Sequence, residues 1–131
     1  MELTVLNQLF SICKVRDLSR VNFGKGFWFL SKTDEEISLV CETGAVPPGA
    51  VCRDDGWKAF RIKGVLDFSL VGVLSEISAV LAASHIGIFA VSTYNTDYIL
   101  TKAADFPRAL KALAEAGYQI SESANPGKPT G

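Results

Sequence analysis

Histidine and cysteine are scarce in this chain. There is one histidine, His85, and there are three cysteines, Cys13, Cys41 and Cys52, among 131 residues. The cysteines form no Cys-x-x-Cys pair, and one histidine cannot complete a zinc-binding set with them at any standard spacing. The sequence therefore predicts no metal site, and three free thiols are typical of a protein of the reducing cytosol.

An excess of positive charge is also missing. Thirteen Lys+Arg residues stand against fourteen Asp+Glu residues, so the net charge is −1. Proteins that bind nucleic acids or anionic membranes usually carry a basic patch. No apolar run approaches the roughly 20 residues of a membrane-spanning helix, and the opening Met1-Glu2-Leu3-Thr4 lacks the features of a signal peptide. We expect a cytoplasmic protein with no nucleic-acid and no membrane partner.

Signatures of catalysis and of nucleotide binding are absent as well. A nucleophile needs a base within hydrogen-bonding reach, and His85 follows a predicted helix, where its expected role is to interact with the last carbonyl groups. No G-x-x-x-x-G-K-[ST] loop is present. The acidic runs Asp34–Glu36 and Asp54–Asp55 lack the spacing of a calcium loop. The sequence predicts no catalytic residue and no cofactor.

The residues that are present indicate a small globular α+β fold, since 48% are hydrophobic and 21% charged. Periodicity and turn signals from residue 57 to residue 121 predict a β-α-β-β-α-β order, which is a ferredoxin-like unit with an antiparallel sheet and helices on one face. The predicted elements are strand Trp57–Lys63, helix Ser69–Ser84, strand Ile86–Ser92, strand Tyr98–Thr101, a helix from Asp105 to a glycine stop at Gly117, and strand Tyr118–Ile120.

The first of these helices carries a single charge, Glu76. We therefore expect it to be buried on most of its surface, with Asp67 or Ser69 as its N-cap. The segment Gly64–Gly72 joins a strand to this helix, and free backbone N–H groups at a helix start can bind a carboxylate or a phosphate. A capped strand–helix turn without a ligand is the alternative interpretation of the same residues.

The N-terminal half repeats part of the pattern. Residues Trp28–Val40 align with Phe89–Thr101 at an offset of 61, with strand, polar turn and strand in the same order. Residues 16–26 are too few and too polar for the first helix, and Pro47-Pro48 excludes a regular second helix. The predicted domains are a truncated unit over 1–56, a complete unit over 57–121 and a disordered tail over 122–131.

Two segments of the sequence resemble the ACT-domain family of regulatory modules. They are Val65-Leu66-Asp67-Phe68-Ser69-Leu70-Val71-Gly72-Val73-Leu74 and the run from Ala83 to Leu100, which contains Ser92-Thr93-Tyr94-Asn95-Thr96-Asp97-Tyr98-Ile99-Leu100. The resemblance spans about residues 3–121. Within the family, the chain is most similar to free-standing tandem-ACT proteins such as the cytosolic arginine sensors of animals.

This resemblance implies a non-enzymatic regulatory module that binds an amino acid between ACT units or between subunits. It places the ligand between the strand–helix loop and the turn of the following hairpin. The implied ligand-binding residues are Leu66, Asp67, Phe68, Ser69 and Leu70 in the loop, and Ser92, Thr93, Tyr94, Asn95, Thr96 and Asp97 in the hairpin. Backbone N–H groups would take the α-carboxylate, while Asp67 or Asp97 would take an ammonium or guanidinium group. Many ACT modules have a glycine where this loop has Phe68 or Ser69, so their ligand rules do not transfer.

Three other functions fit the same topology. A protein-interaction adaptor with a vestigial pocket would use the aromatic run Phe27–Phe29. An acylphosphatase-like enzyme would need an arginine in the loop of residues 64–69, which has none. An RNA-binding sheet would need aromatics in a basic field. Open sheet edges and the family resemblance together predict a homodimer, with any regulated protein partner unknown.

Overall fold

The computed structural model describes residues 1–24, 26–64 and 72–122. The chain divides into two compact units. One, here called the inserted unit, is Gln8–Trp57; the other, the helical unit, combines Met1–Asn7 with the chain from Lys58 onward. The boundaries expected from the sequence differ from these mainly at Met1–Asn7, which group with the later residues. Of the expected tail 122–131, Glu122 is instead the last residue of a strand, and residues 123–131 lie outside the described residues.

The structure contains seven strands, two α-helices and a short 3-10 helix in its described ranges. They are β1 (Glu2–Val15), β2 (Trp28–Lys32), β3 (Ile37–Glu42), the 3-10 helix (Thr43–Ala45), β4 (Cys52–Ile62), α1 (Val73–Ala83), β5 (Phe89–Ser92), β6 (Asp97–Lys102), α2 (Phe106–Glu115) and β7 (Gln119–Glu122). From β4 to β7 the order is β-α-β-β-α-β, so the predicted α+β fold is confirmed. Neither helix is long and apolar enough to cross a membrane in the part of the chain that the structure describes.

The strand order in the helical unit is β7-β1-β4-β6-β5. The start of β1 therefore lies between the first and last strands of the β-α-β-β-α-β unit, and it pairs in parallel with β7 from Glu2↔Gln119 onward. The β5–β6 hairpin is antiparallel, from Phe89↔Leu100 to Ser92↔Asp97. This added strand was not predicted from the sequence, because nothing local in residues 2–5 specifies a partner more than a hundred residues away.

The core of the helical unit draws on every layer. Its largest fully buried side chains are Leu3 from β1, Phe60 and Ile62 from β4, Ile77 and Leu81 from α1, Ile99 from β6, and Leu113 from α2. Burial of such side chains contributes about 1.5–3 kcal/mol each. This core fixes both helices on the sheet.

Helix α1 differs from its prediction in two respects. It begins at Val73 with Gly72 as N-cap, so the expected cap by Asp67 or Ser69 is wrong. Gly72 has φ of +90°, a conformation that glycine adopts without a steric penalty. Only Ile77 and Leu81 are fully buried, so the expected burial of most of the helix surface is also wrong. The exposed face consists largely of alanine and serine, whose low charge gives no sign of exposure.

Helix α2 agrees with its prediction. Asp105 is the N-cap and Pro107 lies in the first turn. Gly117 follows the helix with φ of +103°, and the next N–H, of Tyr118, donates to the Leu113 carbonyl at 3.1 Å. A C-terminal cap of this kind requires a residue in the left-handed conformation directly after the helix, which explains why Gly117 is a glycine.

The inserted unit covers its sheet with loops. The later part of β1 pairs antiparallel with β3, from Phe10↔Glu42 to Val15↔Ile37, and β3 pairs with β2. Its buried cluster consists of Cys13, Val15, Leu39 and Cys41, packed against Val21, Ala45, Val46 and Ala50 among others. Between residues 8 and 57, leaving aside Lys25, the structure has no α-helix. This agrees with the prediction that residues 16–26 and the segment around Pro47-Pro48 form no regular helix, within the residues that the structure describes.

The two hairpins share one register, but at an offset of 60 rather than 61. Phe29 pairs with Val40 as Phe89 pairs with Leu100, and Lys32 pairs with Ile37 as Ser92 pairs with Asp97. The predicted match of Ser31 with Ser92 is thus wrong by one residue. Because side chains alternate between sheet faces, that error exchanges the two faces of the hairpin.

A pair of leucine variants tests whether the first strand supports the helical unit. We expect Leu3→Ala to lower the free energy of unfolding by about 2–5 kcal/mol, because Leu3 is fully buried. Leu9 lies on the same strand but is 52% exposed. Leu9→Ala should therefore change the free energy of unfolding by less than about 0.5 kcal/mol. Urea unfolding followed by circular dichroism measures both. Equal losses in the two variants would contradict this assignment.

Candidate functional site

The turn of the β5–β6 hairpin is fixed by two threonines. Thr93 donates its backbone N–H to the Thr96 carbonyl at 2.9 Å, and its hydroxyl reaches the same carbonyl at 3.0 Å. Thr96 is buried, and its hydroxyl donates to the Ile62 carbonyl at 2.9 Å. The turn is therefore tethered to the end of β4, the strand that leads into the predicted ligand loop.

The other four predicted residues of the hairpin differ in what they can offer a ligand. Ser92 and Asp97 face each other across the strand pair, and the Ser92 hydroxyl donates to Asp97 Oδ1 at 2.6 Å. Tyr94 is 80% exposed, and Asn95 is also exposed. The structure thus brings Ser92–Asp97 together at one end of the helical unit, with Thr93 and Thr96 occupied in holding the turn.

The loop half of the predicted site, Leu66, Asp67, Phe68, Ser69 and Leu70, lies outside the described residues. The chain is described on both sides of it, at Gly64 and at Gly72. On the strand side, the Lys63 N–H donates to the Glu2 carbonyl at 2.9 Å. The described residues next to the loop, Gly64 and Gly72, both belong to the helical unit.

A cavity of about 170 Å³ opens beside the first turn of α1. Its lining combines that turn with the chain around the end of α2: Met1, Val73, Glu76, Ala116, Gly117 and Tyr118. Neither Glu76 nor Tyr118 was predicted from the sequence as a site residue. Glu76 was identified only as the single charge of its helix, and Tyr118 only as part of a strand. The one available signal was that lone carboxylate, since the partner that completes the site lies 42 residues away.

Tyr118 and Glu76 form the polar wall of this cavity. The Tyr118 hydroxyl donates to Glu76 Oε1 at 2.7 Å. Burial, followed by the hydrogen bond to Glu76 and its negative charge, raises the pKa of Tyr118 to about 12. Tyr118 is therefore a neutral donor at physiological pH, and it orients a carboxylate that keeps acceptor capacity for a ligand.

The remaining candidates from the sequence have structural roles. His85 follows α1 with φ of +58°, and its N–H donates to the Ala82 carbonyl at 2.9 Å. Cys13 and Cys41 are buried, as expected of small hydrophobic residues in strands, and burial raises the pKa of the Cys41 thiol to about 12. Cys52 is exposed. Within the described ranges, no three His, Cys, Asp or Glu side chains are placed to hold a metal ion.

A known protein family matches the part of the chain that contains the hairpin turn and the first turn of α1. Residues 53–115 match the family model of the ACT domain. This part of the chain has the fold of an ACT domain. The matched segment extends from β4 to the end of α2, so the tethered turn and the first turn of α1 both belong to it, whereas Tyr118 lies beyond it. No curated protein matches the sequence.

Solved structures share the fold over almost the whole chain. Protein Atu0741 from Agobacterium tumefaciens has a TM-score of 0.83 and 27% identity, and the match covers 98% of this chain and 97% of that one. The regulatory subunit of aspartate kinase from Thermus thermophilus has a TM-score of 0.62 and 12% identity, with 89% and 98% covered. A Vibrio cholerae protein of unknown function, VC0802, described as a possible transport protein, has a TM-score of 0.64 and 18% identity, with 87% and 88% covered. At 12% and 18% identity, the Thermus thermophilus and Vibrio cholerae structures show similarity of fold alone.

Alkaline titration tests the Tyr118–Glu76 pair. We expect one tyrosine to ionise near pH 12 by ultraviolet absorbance, and this step should be missing in Tyr118→Phe. Because the pKa in the folded protein lies above the ordinary value of 10.0, this contribution to stability is complete below pH 10.0 and is lost as the pH rises through about 12. Glu76→Gln should lower the pKa of Tyr118. An unchanged titration curve in that variant would contradict the pairing.

Proposed function

We propose that this protein is a non-enzymatic regulatory module that binds an amino acid at its ACT domain. The ligand lies between the loop Leu66–Leu70 and the turn Ser92–Asp97, at an interface with a partner subunit. The observation that supports this most is the bond from Thr96 to the Ile62 carbonyl, because it holds the turn beside the strand that enters the loop. The fold shared with a regulatory subunit of aspartate kinase supports regulation over catalysis.

The contacts of Asp97 suit an ammonium group. Its Oδ1 accepts from Ser92 at 2.6 Å, which orients the carboxylate before a ligand arrives. A carboxylate has about four acceptor positions, so capacity remains for a charge-assisted hydrogen bond. In the proposed complex, backbone N–H groups of the loop take the α-carboxylate, and Asp97 or Asp67 takes the cationic group.

We also propose that the inserted unit is a shortened second ACT copy, which makes the chain a tandem. The shared hairpin register at an offset of 60 supports this. So does the turn, because Thr33 donates to the Glu36 carbonyl at 2.9 Å as Thr93 does to Thr96.

A ligand screen with matched variants tests the binding function. We expect at least one of the twenty amino acids to raise the melting temperature; arginine is tested first because of the resemblance to arginine sensors. A ligand at a hundred times its Kd stabilises the folded state by about 2.7 kcal/mol. Asp67→Ala or Asp97→Ala, according to which carboxylate takes the cationic group, should abolish most of this shift, whereas Asp34→Ala in the β2–β3 turn of the inserted unit should preserve it.

Two outcomes would refute the proposed site. If Glu76→Gln removed the response and neither Asp67→Ala nor Asp97→Ala did, the ligand would occupy the cavity beside α1 instead. If no amino acid gave a shift at millimolar concentration, the adaptor function would be favoured. That alternative has its own support, since the rings of Phe23 and Trp28 pack edge to face with centroids 4.9 Å apart while remaining 45% and 37% exposed.

The homodimer is tested by light scattering. Strand β5 is at the edge of the helical unit's strand order, and such an edge is normally paired or covered. At micromolar concentration we expect a mass of twice the 14.1 kDa of the chain. A mass of 14.1 kDa under these conditions would exclude a partner subunit from the site.

A further inference from the structure

The inserted unit has a cavity of its own, of about 310 Å³. One wall is the end of β1 and the segment that follows it, including Arg16, Asp17 and Arg20. The opposite wall is the turn Pro47–Ala50. Its volume is at the lower limit for sites that hold small metabolites, which span about 300–1,000 Å³.

The single carboxylate of this cavity is already engaged. Asp17 Oδ1 accepts from the Ser19 N–H at 2.9 Å and from the Ser19 hydroxyl at 2.5 Å. These bonds, with a smaller effect of the Arg20 charge, lower the pKa of Asp17. The carboxylate is thus ionised and held by Ser19, rather than paired directly with an arginine.

Both arginines keep their donors available. Among the residues that the structure describes, neither Arg16 nor Arg20 makes a hydrogen bond or an ion pair with another side chain or with the backbone. Each guanidinium carries five N–H donors in a planar fork that fits carboxylate and phosphate oxygens. Two cations and one carboxylate leave the lining with one net positive charge.

The surroundings favour a small, rigid ligand site. Val15 and the prolines Pro47 and Pro48 supply an apolar wall, and proline rings restrict the backbone. Arg16 also lines a neighbouring cavity of about 480 Å³, where Lys14 and Lys32 accompany it opposite Asp34, Glu35 and Glu36. The second cavity has three positive and three negative side chains, so its charges balance. The net positive charge of the first cavity is therefore beside Arg20.

We propose that Arg16 and Arg20 form a binding site for a small organic anion, held through its carboxylate or phosphate oxygens. This site lies in the inserted unit, and its existence does not depend on amino-acid binding at the ACT domain. An apolar portion of the ligand would lie against Val15 and the prolines.

Calorimetric titration of the full chain tests the site, with succinate and inorganic phosphate as separate probes at constant ionic strength. We expect saturable binding of at least one probe at millimolar concentration or below, and the stronger probe distinguishes a carboxylate from a phosphate ligand. Arg16→Gln combined with Arg20→Gln should weaken it about tenfold or more, since charge-assisted bonds are lost.

Arg53→Gln is the matched control, because Arg53 is an exposed arginine of the same unit that is already paired with Asp55 at 3.0 Å. It should leave the affinity unchanged. Failure of both probes to saturate, or equal weakening by the control and the double variant, would overturn the proposal. Equal melting temperatures of the variants and the wild type verify that folding is intact.

Discussion

Glu2 connects three parts of the helical unit. Its carboxylate contacts Lys63 Nζ at 2.9 Å and the Ser121 hydroxyl at 3.0 Å, and its carbonyl accepts the Lys63 N–H at 2.9 Å. The exposed ion pair itself contributes little. Its position matters because Leu3 and Val5 follow directly and are buried among residues of both helices and β4. This strand lies between β4 and β7 in the sheet, so the end of the unit where the candidate site lies depends on its packing.

The same end gathers the polar groups from which a ligand site can be built. Thr96 holds the hairpin turn to Ile62, and Tyr118 holds Glu76 beside the start of α1. Both bonds join residues more than 30 positions apart. Each fixes an acidic or polar group before any ligand binds, which reduces the ordering entropy that binding would otherwise cost.

The two units differ in the charge that they present. In the helical unit, the cavity beside α1 is lined by the carboxylate of Glu76, whereas the cavity of the inserted unit is lined by Arg16 and Arg20. The hairpins nevertheless share their register and their threonine-closed turns. The two hairpins therefore share a backbone pattern, while the charged side chains near them differ between the two units.

The sequence by itself determined the elements whose signals are local. The N-cap and glycine stop of α2, the two hairpins and the β-α-β-β-α-β order follow from capping residues, turns and periodicity, and the structure confirmed them. It could not determine the offset between the two hairpins, because aligning residues by chemical class does not resolve a one-residue shift. Tertiary structure alone decided that Met1–Asn7 join the helical unit and that Tyr118 meets Glu76. Those pairings depend on how distant segments pack, and no property of a short sequence window encodes such a choice.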